Sequence, residues 1–142
     1  MRIFSKAVHM KIDRIFVYGS LMKDYRFYKQ YLEGKISNIS YGKTHGTLYH
    51  LPEGYPALVD GDGTVQGEIM EPVDGLLLAD LDKFEGYTGT ADNNLYIREK
   101  RTVLREDGKQ QECWVYIYAN KKYAEEKGIS VSDGNWRRFI SR

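Results

Sequence analysis

Two places in this 142-residue chain set a reactive residue type where it could do chemistry. The first is Gly19-Ser20-Leu21. It follows Arg14-Ile15-Phe16-Val17-Tyr18, an apolar, β-branched and aromatic run that reads as a strand ending in a turn. A strand that feeds a tight turn leaves consecutive backbone N–H groups free, and such a nest binds carboxylate or phosphate. Gly19 would let a ligand come close to the main chain. The same residues also make an ordinary structural turn, and the phosphate-cradling patterns GxGxxG and GxxxxGK are absent. The second place is Glu85, in Leu81-Asp82-Lys83-Phe84-Glu85-Gly86-Tyr87. A carboxylate is poorly placed at a helix C-terminus, where the dipole disfavours negative charge. Phe84 and Tyr87 would partly desolvate it, raising its pKa toward neutrality, where a carboxyl can both take and give a proton. A surface glutamate satisfies the same composition.

Other chemistry-bearing residues are less committed. Tyr96 and Arg98, two apart on an expected strand, share one face. Arg98 could pair with a substrate carboxylate, or with a buried acid such as Glu68 or Asp82. Tyr118 could line a pocket with its ring and hydroxyl, or pack in the core. The single Cys113 rules out an intramolecular disulfide; amid Trp114-Val115-Tyr116 it reads as a packed thiol without an activating base. His9, His45 and His50 lack a convincing third ligand, so no metal site is expected. No Ser–His or Cys–His pair suggests a covalent nucleophile.

The elements that must position these groups follow from periodicity. After the turn, residues 24–32 carry Tyr25, Tyr28, Tyr31 and Leu32 at helical spacing, closed by Gly34. Short strands are expected at 36–42, 46–50, 57–59 and 65–72. Asp60-Gly61-Asp62-Gly63 reads as a hairpin turn rather than a calcium loop, because Val65 stands where such a loop needs glycine. Residues 74–84 form the clearest helix: Asp74 caps it, Leu76, Leu77, Ala79, Leu81 and Phe84 make its stripe, and Gly86 ends it. A loop over 86–94 precedes strands at 95–105 and 110–118, joined by a turn at 106–109. A helix or loop lies around 121–127, and a polar tail carries Trp136. Consecutive strands joined by turns pair mostly antiparallel. The expected fold is α+β: a small mixed, mostly antiparallel barrel or strongly curled sheet, flanked by two to three short helices.

Length and 42% hydrophobic content suit one globular domain over residues 1–142, with 1–12 a loose tail and 119–142 a C-terminal extension. A net charge of +1 provides no basic field for nucleic acid or an anionic membrane. No apolar run approaches a membrane span, and the first nine residues make no secretory signal, so a cytoplasmic protein is expected.

Six segments together resemble the γ-glutamylcyclotransferase superfamily, in its AIG2-like, γ-glutamylamine cyclotransferase branch. They are Phe16-Val17-Tyr18-Gly19-Ser20-Leu21-Met22, Gly54-Tyr55-Pro56-Ala57, Val65-Gln66-Gly67-Glu68, Leu81-Asp82-Lys83-Phe84-Glu85-Gly86-Tyr87, Tyr96-Ile97-Arg98 and Trp114-Val115-Tyr116-Ile117-Tyr118. The Tyr-Gly-Ser-Leu turn and the Leu-Asp-x-Phe-Glu-Gly-Tyr segment are specific as a pair. The resemblance implies that Glu85 is the general acid/base and that Tyr18, Gly19, Ser20 and Leu21 hold a γ-glutamyl group, with Tyr118 and Arg98 as further substrate-binding candidates. It implies a cofactor-free reaction on a small γ-glutamyl substrate, in which the α-amine attacks the γ-carbonyl, closes 5-oxoproline and expels an amine. The alternative is a non-catalytic module that binds a small molecule on the same fold.

Overall fold

The computed structural model describes residues 13–89 and 94–141. The chain begins with β1 (Ile15–Val17), buried at every position. Helix α1 (Arg26–Tyr31) leads to two long strands, β2 (Ile36–His50) and β3 (Pro56–Pro72). Helix α2 (Leu77–Phe84) follows, then β4 (Tyr96–Arg105) and β5 (Gln110–Tyr118). Helix α3 (Lys121–Lys127), the short strand β6 (Ile129–Ser130) and helix α4 (Trp136–Ile140) end it. Among the described residues no helix is long and apolar enough to cross a membrane.

The strands run β3-β1-β5-β4-β2, and β2 pairs back onto β3, so the sheet closes into a mixed five-stranded barrel with β6 added on β2. Only β1 and β5 run parallel; the other pairings are antiparallel. Fully buried Ile15, Phe16, Leu48, Leu58, Val65, Ile69, Met70, Val103 and Val115 fill the core. Each such side chain contributes about 1.5–3 kcal/mol relative to exposure. The protein is thus α+β, as expected, with α4 and β6 added by the C-terminal stretch. Cys113 is buried on β5, and burial pushes its thiol up to about 12, which keeps it protonated.

The hairpin expected at Asp60–Gly63 is not formed. Thr47 pairs with Val59 and His45 with Thr64, so residues 60–63 bulge out opposite Gly46 alone while β3 keeps its direction. A Cβ on Gly46 would collide with the Leu58 side chain, so glycine there lets the strands stay in contact across the bulge. Long-range pairing with β2 overrides the local turn preference of Gly61 and Gly63. The reversal lies instead between β2 and β3, where Leu51 N–H donates to Tyr55 O (3.0 Å) and Gly54 takes φ +99°.

Helix α2 starts later than its sequence suggests. The Asp74 carboxylate accepts from Leu76 N–H (2.9 Å) in an Asx turn, and Leu76, expected on the apolar stripe, is exposed. Leu77 and Leu81, four apart, carry the buried face. The helix ends in a Schellman motif: Tyr87 N–H donates to Asp82 O (2.8 Å) and Gly86 N–H to Lys83 O (3.2 Å), with Gly86 at φ +69°.

Candidate active site

The chain leaves β1 at Tyr18, whose side chain is tied into the core. Its hydroxyl donates to Tyr116 O (2.6 Å) and accepts from Leu58 N–H (3.4 Å). Burial holds this phenol well above its usual range, so it stays neutral. Tyr18 thereby pins the start of the turn to β5 and β3. The turn closes with Met22 N–H donating to Gly19 O (2.9 Å), while Leu21 and Met22 are buried beneath it. The N–H groups of Ser20 and Leu21 donate to no protein acceptor among the described residues. Gly19 is required for a reason other than ligand approach: a Cβ there would lie 2.5 Å from Pro56 Cγ.

A cavity of about 250 Å³ opens over this turn. Tyr18, Gly19, Ser20 and Leu21 form one wall, Phe84 and Glu85 another. Phe27, Tyr55, Leu95 and Tyr96 supply apolar and aromatic surface around them, and Tyr116 closes the β5 side. The rings of Phe27 and Phe84 lie 5.0 Å apart, those of Tyr55 and Tyr96 6.3 Å. Tyr96 is fixed by its hydroxyl, which donates to Pro56 O (2.5 Å).

Glu85 occupies the cap position between α2 and the left-handed Gly86. That placement turns its side chain to the cavity instead of the helix surface. Among the described residues no hydrogen bond or ion pair reaches its carboxyl, and burial alone raises its pKa to about 8. Glu85 is the only carboxyl among the described residues that line the cavity, and it is poised near neutrality on the same lining as the turn with two unpaired amides.

The structure separates the other candidates from this group. Arg98 does not line the cavity. Its Nη1 pairs with both carboxylate oxygens of Asp82 (3.0 and 3.2 Å), and its guanidinium stacks over Trp114 at 4.6 Å. Asp82 also accepts from the Tyr116 hydroxyl (2.7 Å), so this network fastens the last turn of α2 to β4 and β5. Tyr118 also lies off the cavity lining and packs edge-on against Tyr96, with centroids 5.3 Å apart. Each had two readings, and of these the structure shows the structural one: Arg98 on the acid Asp82 and Tyr118 packed in the core, where the family resemblance implies substrate contacts. His50 Nδ1 accepts from Trp136 Nε1 (3.1 Å). The loop expected over 86–94 is described only in part, since residues 90–93 lie outside the described residues.

Sequence reasoning missed the walls supplied by Phe27, Leu95 and Tyr116. Tyr55 had a local signal, as the ring-bearing residue of the Gly54-Tyr55-Pro56 reversal. Phe27 had none, because it lies off the tyrosine spacing of α1.

A small closed barrel thus carries a pocket lined by both a carboxyl of raised pKa and a turn with two amides that no described residue accepts from. Residues 15–138 match the family model described as gamma-glutamyl cyclotransferase, AIG2-like, and the chain belongs to that family. It is 31% identical over 131 residues to a Drosophila melanogaster protein provisionally named a gamma-glutamylcyclotransferase, covering 82% of this chain and 78% of that one. The mouse AIG2-like protein has a similar crystal structure: TM-score 0.62, 29% identity, 78% of this chain and 79% of that chain. A larger Bacillus subtilis protein shares the fold, with TM-score 0.66 and 23% identity; 91% of this chain matches 42% of that one.

Proposed function

We propose that this protein releases 5-oxoproline from a γ-glutamyl-amine or γ-glutamyl-amino acid. The observation that carries the proposal is the Glu85 carboxyl, raised to about 8 and lining the same cavity as the turn of Tyr18 to Leu21. The Ser20 and Leu21 N–H groups hold the substrate's α-carboxylate. This places its α-ammonium, one carbon away, toward Glu85.

Glu85 as carboxylate takes a proton from the α-ammonium. The freed amine attacks the γ-carbonyl carbon, forming the C–N bond of a five-membered ring. Glu85 then returns its proton to the leaving nitrogen as the original amide C–N bond breaks and the carbonyl re-forms, while the ring nitrogen releases its second proton to solvent. The α-ammonium has become a lactam N–H, the leaving group a free amine, and Glu85 is again a carboxylate. A Glu85 pKa of about 8 brings the carboxyl much closer to the range of an α-ammonium than an ordinary carboxylate at about 4.3, so the first proton transfer is far less uphill. Nucleophile and carbonyl belong to one molecule, so ring closure carries the large effective molarity of an intramolecular step without a covalent enzyme intermediate.

The test is mass-spectrometric detection of 5-oxoproline from a panel of γ-glutamyl-amines and γ-glutamyl-amino acids. Glu85→Gln should lose at least about 100-fold in kcat, the size of a general acid/base contribution. Release from none of the panel, or full activity in Glu85→Gln, sinks the proposal. Tight binding without turnover would favour the binding-module alternative.

A further inference from the structure

The C-terminal segment is seated on the barrel by a series of specific contacts. Gln66 N–H donates to Gly134 O (2.8 Å), and Asn135 Nδ2 donates to Gln66 Oε1 (3.2 Å). The Asn135 side chain caps α4 by accepting from Arg138 N–H (2.8 Å). Trp136 is buried, edge-on to Tyr25 at 5.8 Å. These contacts deliver the next residue, Arg137, to the far side of the substrate turn.

There Arg137 meets Glu68, a carboxylate only 3% exposed on β3. Arg137 Nη2 donates to Glu68 Oε2 (3.0 Å) and to Lys23 O (3.0 Å). The other Glu68 oxygen accepts from Lys23 N–H (2.7 Å). One ion pair therefore holds both backbone polar groups of Lys23, the residue that follows the turn. The next residue, Asp24, has φ +79°, a left-handed conformation that a non-glycine residue keeps only where its surroundings over-determine it. The guanidinium also rests over the Tyr25 ring at 4.8 Å, so it braces both sides of that strained position.

We infer that Arg137, acting through Glu68 and Lys23, is a positioning residue that sets the aim of the Ser20 and Leu21 amides at the substrate carboxylate. The inference rests on the proposed function for the ligand's identity, while the mechanical link is tested without it. The path is short: Lys23 is directly bonded to Met22, whose N–H closes the turn onto Gly19 O. Releasing Lys23 lets the turn relax, and the two free amides lose their common target.

The experiment compares wild type with Arg137→Ala, Arg137→Lys and the double variant Arg137→Ala/Glu68→Gln. Arg138→Ala serves as control, since Arg138 pairs with Asp133 on the outer side of α4. Isothermal titration with 5-oxoproline, which retains the α-carboxylate, gives Kd; steady-state assays give KM and kcat. In Arg137→Ala, Kd and KM should both rise by about tenfold, the loss of a charge-assisted contact, with kcat changing much less. Arg137→Lys should recover most of the affinity, and the double variant should bind no more weakly than Arg137→Ala, because the pair acts as one unit. An unchanged Kd, a fall in kcat alone, or an equal loss in Arg138→Ala overturns the inference. Should wild type neither bind 5-oxoproline nor turn over any γ-glutamyl compound, the functional proposal fails and amide hydrogen exchange decides the mechanical link. Faster exchange at Met22 and Lys23 in Arg137→Ala, at unchanged Tm, then supports it; unchanged exchange refutes it.

Discussion

Replacing Glu85 by glutamine should stabilise the folded protein at alkaline pH and barely affect it at acid pH. Below its ordinary pKa of 4.5 the Glu85 carboxyl is protonated whether the chain is folded or not, and it makes no pH-dependent contribution. Between 4.5 and about 8 the unfolded chain releases that proton and the folded chain keeps it, so stability falls as pH rises across this window. Above about 8 the folded protein carries a buried charge that no hydrogen bond or ion pair compensates. At about 1.4 kcal/mol per pH unit, the full gap corresponds to about 5 kcal/mol. Glu85 keeps part of its surface toward the cavity, so water there screens the charge and the expected effect is about 2–3 kcal/mol. Urea denaturation of wild type and Glu85→Gln at pH 5 and pH 9, at matched ionic strength, measures it. The variant should unfold with a similar free energy to wild type at pH 5 and be more stable at pH 9. An equal difference at both pH values refutes the idea that burial has raised this carboxyl. The same titration should appear in catalysis, with kcat/KM rising as pH approaches 8 and kcat levelling off at lower pH, because the bound α-ammonium favours the carboxylate.

Two further substitutions separate local from distant contributions. Gly19→Ala places a methyl 2.5 Å from Pro56 Cγ, so turn and strand must separate; the expected cost is about 1–3 kcal/mol in urea unfolding, together with weakened 5-oxoproline binding. Retained affinity and stability would mean that the turn adapts freely. Arg98→Ala strips the partly buried Asp82 of its ion-pair partner and should cost about 1–3 kcal/mol of stability, while 5-oxoproline affinity in the folded protein stays within about twofold. A loss of affinity without loss of stability would return Arg98 to the substrate site.

How much of this was legible in the chain depended on range. The strand at Arg14–Tyr18, the turn after it and the glycine that ends α2 are local features. Apolar runs, turn residues and a left-handed cap express themselves over a few residues, so Gly19, Ser20, Leu21 and Glu85 could be singled out by type and spacing, though not their roles. Elements set by distant partners were misread. Asp60 to Gly63 looks like a turn, and only the facing β2 strand keeps it inside β3. Arg98 and Tyr118 each allowed a substrate contact or a structural partner, and only the barrel register decides for Asp82 and Tyr96.

The sequence by itself determined the chemistry available: an acid beside a helix-ending glycine and a glycine-serine turn at the end of a strand. Tertiary structure alone decided that these meet. Glu85 is 64 residues beyond Leu21, and barrel closure brings the two onto one cavity. Burial there, and not the local sequence, moves the carboxyl from an ordinary surface acid to one that titrates near neutrality. Arg137, 114 residues from Lys23, reaches the back of the turn for the same reason. Desolvation and backbone support both depend on what surrounds a group in space, and that is settled only when the chain closes on itself.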